Sequence, residues 1–260
     1  FREAGVTGMP VMRAMWMQYP QISELYDTDD QYLIGSDILV KPVTNAGATQ
    51  SNVHFPTADI WYDVDTMQQM TTASATDSAK VKSLSVKSDI DKIPVYQRGG
   101  SILPRKLRLR RSTRLMIHDP YTLYIALDKN LHASGSLYMD DEHTFDHDRH
   151  GVYATANFEM KVDYGNGDSK PTIRNVVEFG PGLMTEDGGI PTSLDESMKS
   201  SSRMIERIVI MGMPQIPTKV YLTSDTKASL EFEYGSSSKI LVIRKPNLSA
   251  LDSWDISVVF

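Results

Sequence analysis

The sequence has no cysteine. That excludes a disulfide framework and any thiolate metal site, and it leaves the redox compartment undetermined. It also has no run approaching the roughly 18 to 20 apolar residues that a spanning helix needs, and its start shows no charged n-region followed by an apolar h-region. Positive charge is in deficit: 27 Lys and Arg against 33 Asp and Glu leave a formal charge of −6. This is the wrong sign for a chain that binds nucleic acid over its whole surface. Neither G-x-x-x-x-G-K-[ST] nor G-x-G-x-x-G occurs, and no Ser/His/Asp order with a nucleophile elbow, so nucleotide chemistry finds no support. The chain opens on Phe1 in FREAGVTGMP, which reads as the interior of a domain, and a processed piece of a longer protein is expected.

What is present is a globular composition, 40% hydrophobic and 23% charged over 260 residues, enough for two modules. PVMRAMWMQYP reads as a strand or buried segment closed by Pro20, and QISELYDTDDQYLIG as a loop and a short helical turn. From Ser36 onward the texture changes. DILVKPV, NVHFP, DIWYDV, KVKSLSVK, IPVYQRGG and SILPRKLRLR are short, β-branched or aromatic, and punctuated by Gly, Pro, Asn and Asp. Such spacing predicts antiparallel sandwich strands. After His118-Asp119-Pro120 a second β-rich run continues to WDISVVF, within which residues 239–243 are continuously apolar after Lys239 and are expected to be more buried. Residues 66–80 and 180–202 carry no periodicity and read as loops.

Two constellations invite chemistry. LYMDDEHTFDHDRHG gathers Asp140, Asp141, Glu142, Asp146 and Asp148 with His143, His147 and His150. The spacing fits no standard ligand loop, and a turn with solvated carboxylates is the simpler reading. Arg105, Lys106, Arg108, Arg110, Arg111 and Arg114 place six cations in ten residues. On a strand, Leu107 and Leu109 would face inward with Lys106, Arg108 and Arg110 outward, a half-buried strand with a charged face. Gly99-Gly100 then reads as a bend where no side chain fits, and Pro104 as the end of pairing. Asp27, Asp29 and Asp30 read as caps before a helical turn, while Trp61 and Tyr62 read as core rather than a sugar platform. Trp16, Tyr19 and Trp254 are further candidates for stacking on sugar. Asn247-Leu248-Ser249 is a glycosylation sequon, so Asn247 is a candidate acceptor.

Taken in series, GMPVMRAMWMQYP, DDQYLIGSDILVKPV, IWYDV, IPVYQRGGSILP and GSLYMDDEHTFDHDRHG resemble the C-terminal part of the glycoside hydrolase family 31 α-glucosidases. The resemblance implies a mainly β chain: residues 1–36 as the last strand and exit of a (β/α)8 barrel, with Met9 to Met17 as that strand. Residues 37–117 would then form a proximal β-sandwich domain and 118–260 a distal one. It implies hydrolysis of α-glucosidic bonds with retention by two aspartates supplied from upstream barrel segments. Neither motif occurs here, so no catalytic residue is assigned and the isolated chain is expected to be inactive. No metal or cofactor is called for. The partners implied are the upstream barrel, a regulatory β subunit and a glucosylated oligosaccharide, in the endoplasmic reticulum lumen. The rival reading is a non-catalytic carbohydrate- or partner-binding β-module. Two departures stand out. Ala14 replaces the family's proline, and Glu142 replaces the glycine of D-D-G, which disfavours a left-handed turn there.

Overall fold

A computed structural model describes residues 1–73, 79–165, 168–184 and 203–260. Part of the segment 66–80 and most of 180–202, both read as loops, lie outside the described residues. The chain divides into two compact units, Phe1–Ser101 with Ala126–Asn130, and Ile102–Ile125 with Leu131–Phe260.

The first unit contains β1 (Met12–Ala14), β2 (Tyr32–Ile34), β3 (Ile38–Val40), β4 (Gln50–Pro56), β5 (Trp61–Asp63), β6 (Val81–Lys87) and β7 (Val95–Arg98). Five of these form one sheet in the order β1-β2-β3-β7-β5, and β4 pairs with β6. The period-2 pattern of β4 turns Val53 and Phe55 inward and leaves Asn52 and His54 outside. Val53 and Phe55 join Met15, Tyr19, Ile22, Leu25, Leu33, Leu39, Trp61 and Tyr96 in one fully packed cluster. Trp61 and Tyr62 are therefore core, as their setting in IWYDV indicates, at 0% and 2% exposure.

Three expectations for this unit need correction. The strand read over Met9–Met17 is confined to Met12–Ala14: Gly8 ends the helix Arg2–Thr7 in a left-handed cap, and the chain coils into the helix Met15–Gln18 directly after Ala14. The helical turn sits at Ser23–Leu25, ahead of the acids, and Tyr32–Ile34 is a strand. Asp27, Asp29 and Asp30 consequently cap nothing. Apolar Leu33 is drawn into the sheet instead, and Asp30 pairs with the buried Lys41 ammonium.

Burial also shapes how this unit responds to alkali. Removal from water pushes the Tyr96 hydroxyl up to about 12, with Asp63 adding to it. Burial likewise raises Tyr19, next to Asp59, and Tyr62. A folded pKa above the unfolded one means that the native state keeps protons the unfolded chain has released. The stability tied to these hydroxyls is intact below the ordinary tyrosine pKa of about 10 and is lost as the pH climbs toward 12. In a titration followed at 295 nm, these tyrosines should ionise late, and only together with loss of the near-ultraviolet circular dichroism signal.

The second unit continues with β8 (Ser101–Arg105), β9 (Tyr121–Ala126), β10 (Ala133–Met139), β11 (Ala154–Gly165), β12 (Asp168–Phe179), β13 (Met204–Met211), β14 (Lys219–Leu222), β15 (Asp225–Ser229), β16 (Glu231–Gly235), β17 (Ile240–Ser249) and β18 (Trp254–Val259). They form one eleven-stranded network in the order β15-β14-β18-β12-β11-β10-β8-β9-β13-β17-β16. Its backbone is the β11–β12 hairpin, which pairs from Ala154↔Phe179 to Gly165↔Asp168. In β17, Leu241 and Ile243 are buried while Ile240 and Val242 are only half so, so the apolar run alternates instead of being buried throughout. One face of β17 meets the core and the other does not.

Candidate functional site

The cation-rich stretch does not form the strand its alternation suggests. β8 runs through Pro104 and ends at Arg105, and residues 107–115 are all exposed, Leu109 at 99%. The leucines therefore do not face a core. What overrides the strand pattern is a buried carboxylate. Asp119 is 1% exposed and accepts from Arg110 Nε at 3.0 Å and from Arg110 Nη2 at 2.6 Å, a fork that bends the chain back on itself. Arg108 lies 3.9 Å from the same carboxylate and donates to Glu206 at 3.3 Å. Lys106 Nζ sits 4.9 Å from the Tyr121 ring centre and donates to the Met116 and Ile117 carbonyls at 2.9 and 3.2 Å. Three of the six cations thus hold a loop shut. A fourth, Arg105, lies over the Tyr124 ring at 4.7 Å.

The acid-rich turn closes on itself in the same way. Asp140 Oδ1 accepts the Glu142 amide at 2.8 Å, and Asp141 accepts the His143 and Thr144 amides and the Thr144 hydroxyl. These bonds hold Glu142 at φ 60°, so the left-handed turn persists without the glycine that would ease it. His147 and His150 lie on the one-turn helix Asp146–Arg149 and just beyond it, and pair with Asp140 at 3.7 Å and Asp146 at 3.0 Å. Among the described residues no group of three or more His, Asp or Glu side chains is positioned to hold a metal ion.

Arg203 ties this turn to the strand that follows it in the chain. It is almost fully buried, donating to the Asp140 carbonyl at 2.8 Å and to Glu142 at 3.4 Å. Nothing in its sequence neighbourhood marks it, and Asp119 reads there only as a boundary in His-Asp-Pro. The chemistry of both clusters is that of a scaffold. A retaining glycosidase needs one carboxyl held protonated near neutrality. Asp119 is instead held below the usual range by the Arg110 fork, and Asp141 by the Thr144 amide and hydroxyl. Both carboxyls are pushed toward permanent ionisation.

In the first unit a second network takes shape around Arg98. Its Nη2 donates to Asp37 at 2.8 Å, its Nη1 lies 3.8 Å from Asp59, and Asp59 accepts the Tyr19 hydroxyl at 2.7 Å. Beside it, the Gly99 amide donates to the Ile60 carbonyl at 2.7 Å, and a Cβ on Gly99 would lie 2.9 Å from the Leu127 carbonyl. Gly100 follows at φ 91°. The Gly-Gly pair is the bend that the sequence indicates. Asp30 and Lys41 border a polar cleft of about 420 Å³ that also takes in Asn52 and His54. Of the aromatic candidates, Trp254 and Tyr19 are buried and Trp16 is half exposed, so the tryptophans do not form a shared platform within either unit. Asn247 is exposed at φ 54° on a bulge of β17, between the register pairs Arg207↔Arg244 and Ile205↔Leu248.

These features define a braced β-scaffold in which Asp37, Asp59, Asp119, Asp140 and Asp141 are all engaged, and residues 8–103 match the Glycosyl hydrolase family 31 C-terminal domain. The resemblance read from the motifs therefore stands. The chain is 40% identical over 256 residues to Neutral alpha-glucosidase AB of Dictyostelium discoideum, covering 95% of this chain and 23% of that protein. It is 32% identical to the Probable glucan 1,3-alpha-glucosidase of Arabidopsis thaliana, over 100% of this chain and 26% of the relative. A crystal structure of a glucosidase II alpha subunit with alpha3-Glc2 bound superimposes with a TM-score of 0.75 at 26% identity, over the whole chain and 26% of its own. The chain thus spans about a quarter of the length of the relatives it matches. Among the described residues no helix is long and apolar enough to cross a membrane.

Proposed function

We propose that this chain is the C-terminal portion of a retaining α-glucosidase of the glucosidase II type, one that trims α-linked glucose from N-linked high-mannose oligosaccharides of newly made glycoproteins. What supports the reading most is similarity that runs through the entire chain to neutral α-glucosidases and to the glucosidase II alpha subunit. In this reading residues 1–36 complete the catalytic barrel, 37–117 form a proximal domain and 118–260 a distal one. Both catalytic aspartates belong to the barrel, and the role of this chain is to brace it. The working partners are the barrel, a glucosylated oligosaccharide and a regulatory β subunit, and the setting is the endoplasmic reticulum lumen. A similar solved structure is that of an ER glucosidase II heterodimeric complex consisting of the catalytic subunit and the binding domain of the regulatory subunit.

An α-glucoside hydrolysis assay on size-fractionated material tests this. The 260-residue chain alone should release no glucose, and activity should appear only in a fraction that also holds the upstream barrel. Hydrolysis by the chain alone would mean that the carboxylate pair lies within it. In a secretory setting Asn247 should carry a glycan, because its bulge lifts the amide clear of the sheet. Treatment with peptide N-glycosidase should lower the mass of chain expressed behind a secretion leader in one step, and Asn247→Gln should abolish that step.

A further inference from the structure

Nine consecutive exposed residues, Leu107 to Leu115, present three leucines and four arginines and no acid. Leu109 is 99% exposed, Leu115 55% and Leu107 41%. Scattered exposed leucines need no explanation, but here three fall within nine consecutive exposed residues of one loop. The loop's cations divide by partner. Lys106, Arg108 and Arg110 are committed to Asp119, Glu206 and backbone carbonyls, as described above. Arg111 and Arg114 make no hydrogen bond or ion pair among the described residues, and they are interleaved with Leu109 and Leu115. The committed cations fix the base of the loop, so the outward side chains are offered from a frame that needs little further ordering.

We propose that the outward face of the 107–115 loop is a docking site for an acidic polypeptide segment that carries aliphatic side chains. Carboxylates would pair with the guanidinium forks of Arg111 and Arg114, and leucine-like side chains would cover Leu109 and Leu115. Charge sets the choice of partner class. An anionic lipid surface is typically read by clusters of about four to eight cations, whereas only two of this loop's cations are uncommitted. A polypeptide needs fewer ion pairs, because it can bury the leucines at the same time. This inference stands apart from the glycan-trimming reading and does not need it.

The test is fluorescence anisotropy with the full chain and a labelled peptide of alternating glutamate and leucine. Saturable binding is expected, weakened about tenfold or more by Arg111→Glu with Arg114→Glu, by Leu109→Ser, or by exchanging the peptide's leucines for serine. Unchanged near-ultraviolet circular dichroism in the variants separates lost binding from lost folding. The proposal is overturned by absence of saturable binding, by equal binding to the charge-reversed variant, or by co-sedimentation with phosphatidylserine vesicles in preference to the peptide.

Discussion

Replacing Arg98 with alanine should destabilise the protein by about 3 kcal/mol, the scale set by removing one partner from a largely buried ionic network. The side chain is only 24% exposed and faces two carboxylates, Asp37 and Asp59. Asp59 also accepts the Tyr19 hydroxyl, so deleting the cation leaves two negative charges close together with one phenol to share between them. Arg98→Lys keeps the charge but loses the planar fork, and should recover only part of the loss. Urea unfolding followed by circular dichroism reads all three proteins. A shift in midpoint for alanine no larger than that of an ordinary surface substitution, under about 0.5 kcal/mol, would mean that the network contributes only geometry.

A comparable loss, about 3 kcal/mol at the upper end of overpacking, is expected from adding one methyl group at Gly135. This glycine lies mid-strand in β10, which sits between β8 and β11 in the network. A Cβ there would collide with the backbone carbonyl of Ile102 on β8, and Ile102 is itself buried. A flexible side chain could move aside, but a paired strand cannot without giving up ladder hydrogen bonds. Gly135→Ala should therefore lower the urea midpoint and raise amide exchange along β8 and β10 together. Exchange confined to residue 135 and its immediate neighbours would contradict this account.

Much of the β-architecture is legible because short strands announce themselves by alternation and by the Gly, Pro and Asp between them. IWYDV reads correctly as core since two adjacent aromatics inside a β-branched run have nowhere else to go. Local pattern fails where a distant group decides. RKLRLR alternates like a strand, yet Asp119 captures Arg110 and the segment becomes a loop. β12 is hidden by Pro171 and by its charged positions, and shows itself only through its pairing with β11. Arg203 and the Arg98 network are invisible for the same reason: their partners lie far away in sequence, 61 residues in the case of Arg98 and Asp37. The left-handed Glu142 is a further instance, in which three side chains of one turn supply the stability that a glycine would have supplied through backbone freedom.

The short return of Ala126–Asn130 to the first unit has a bearing on how the molecule is made and cut. The Tyr62 hydroxyl donates to the Leu127 carbonyl at 2.8 Å, and the Gly100 amide to the Ala126 carbonyl at 2.8 Å. A ribosome must therefore translate past residue 130 before the earlier unit can close, although nearly all of that unit has been synthesised by residue 101. A protease that nicks the chain once near residue 101 severs no unit cleanly, since the earlier fragment leaves five of its own residues covalently attached to the later one.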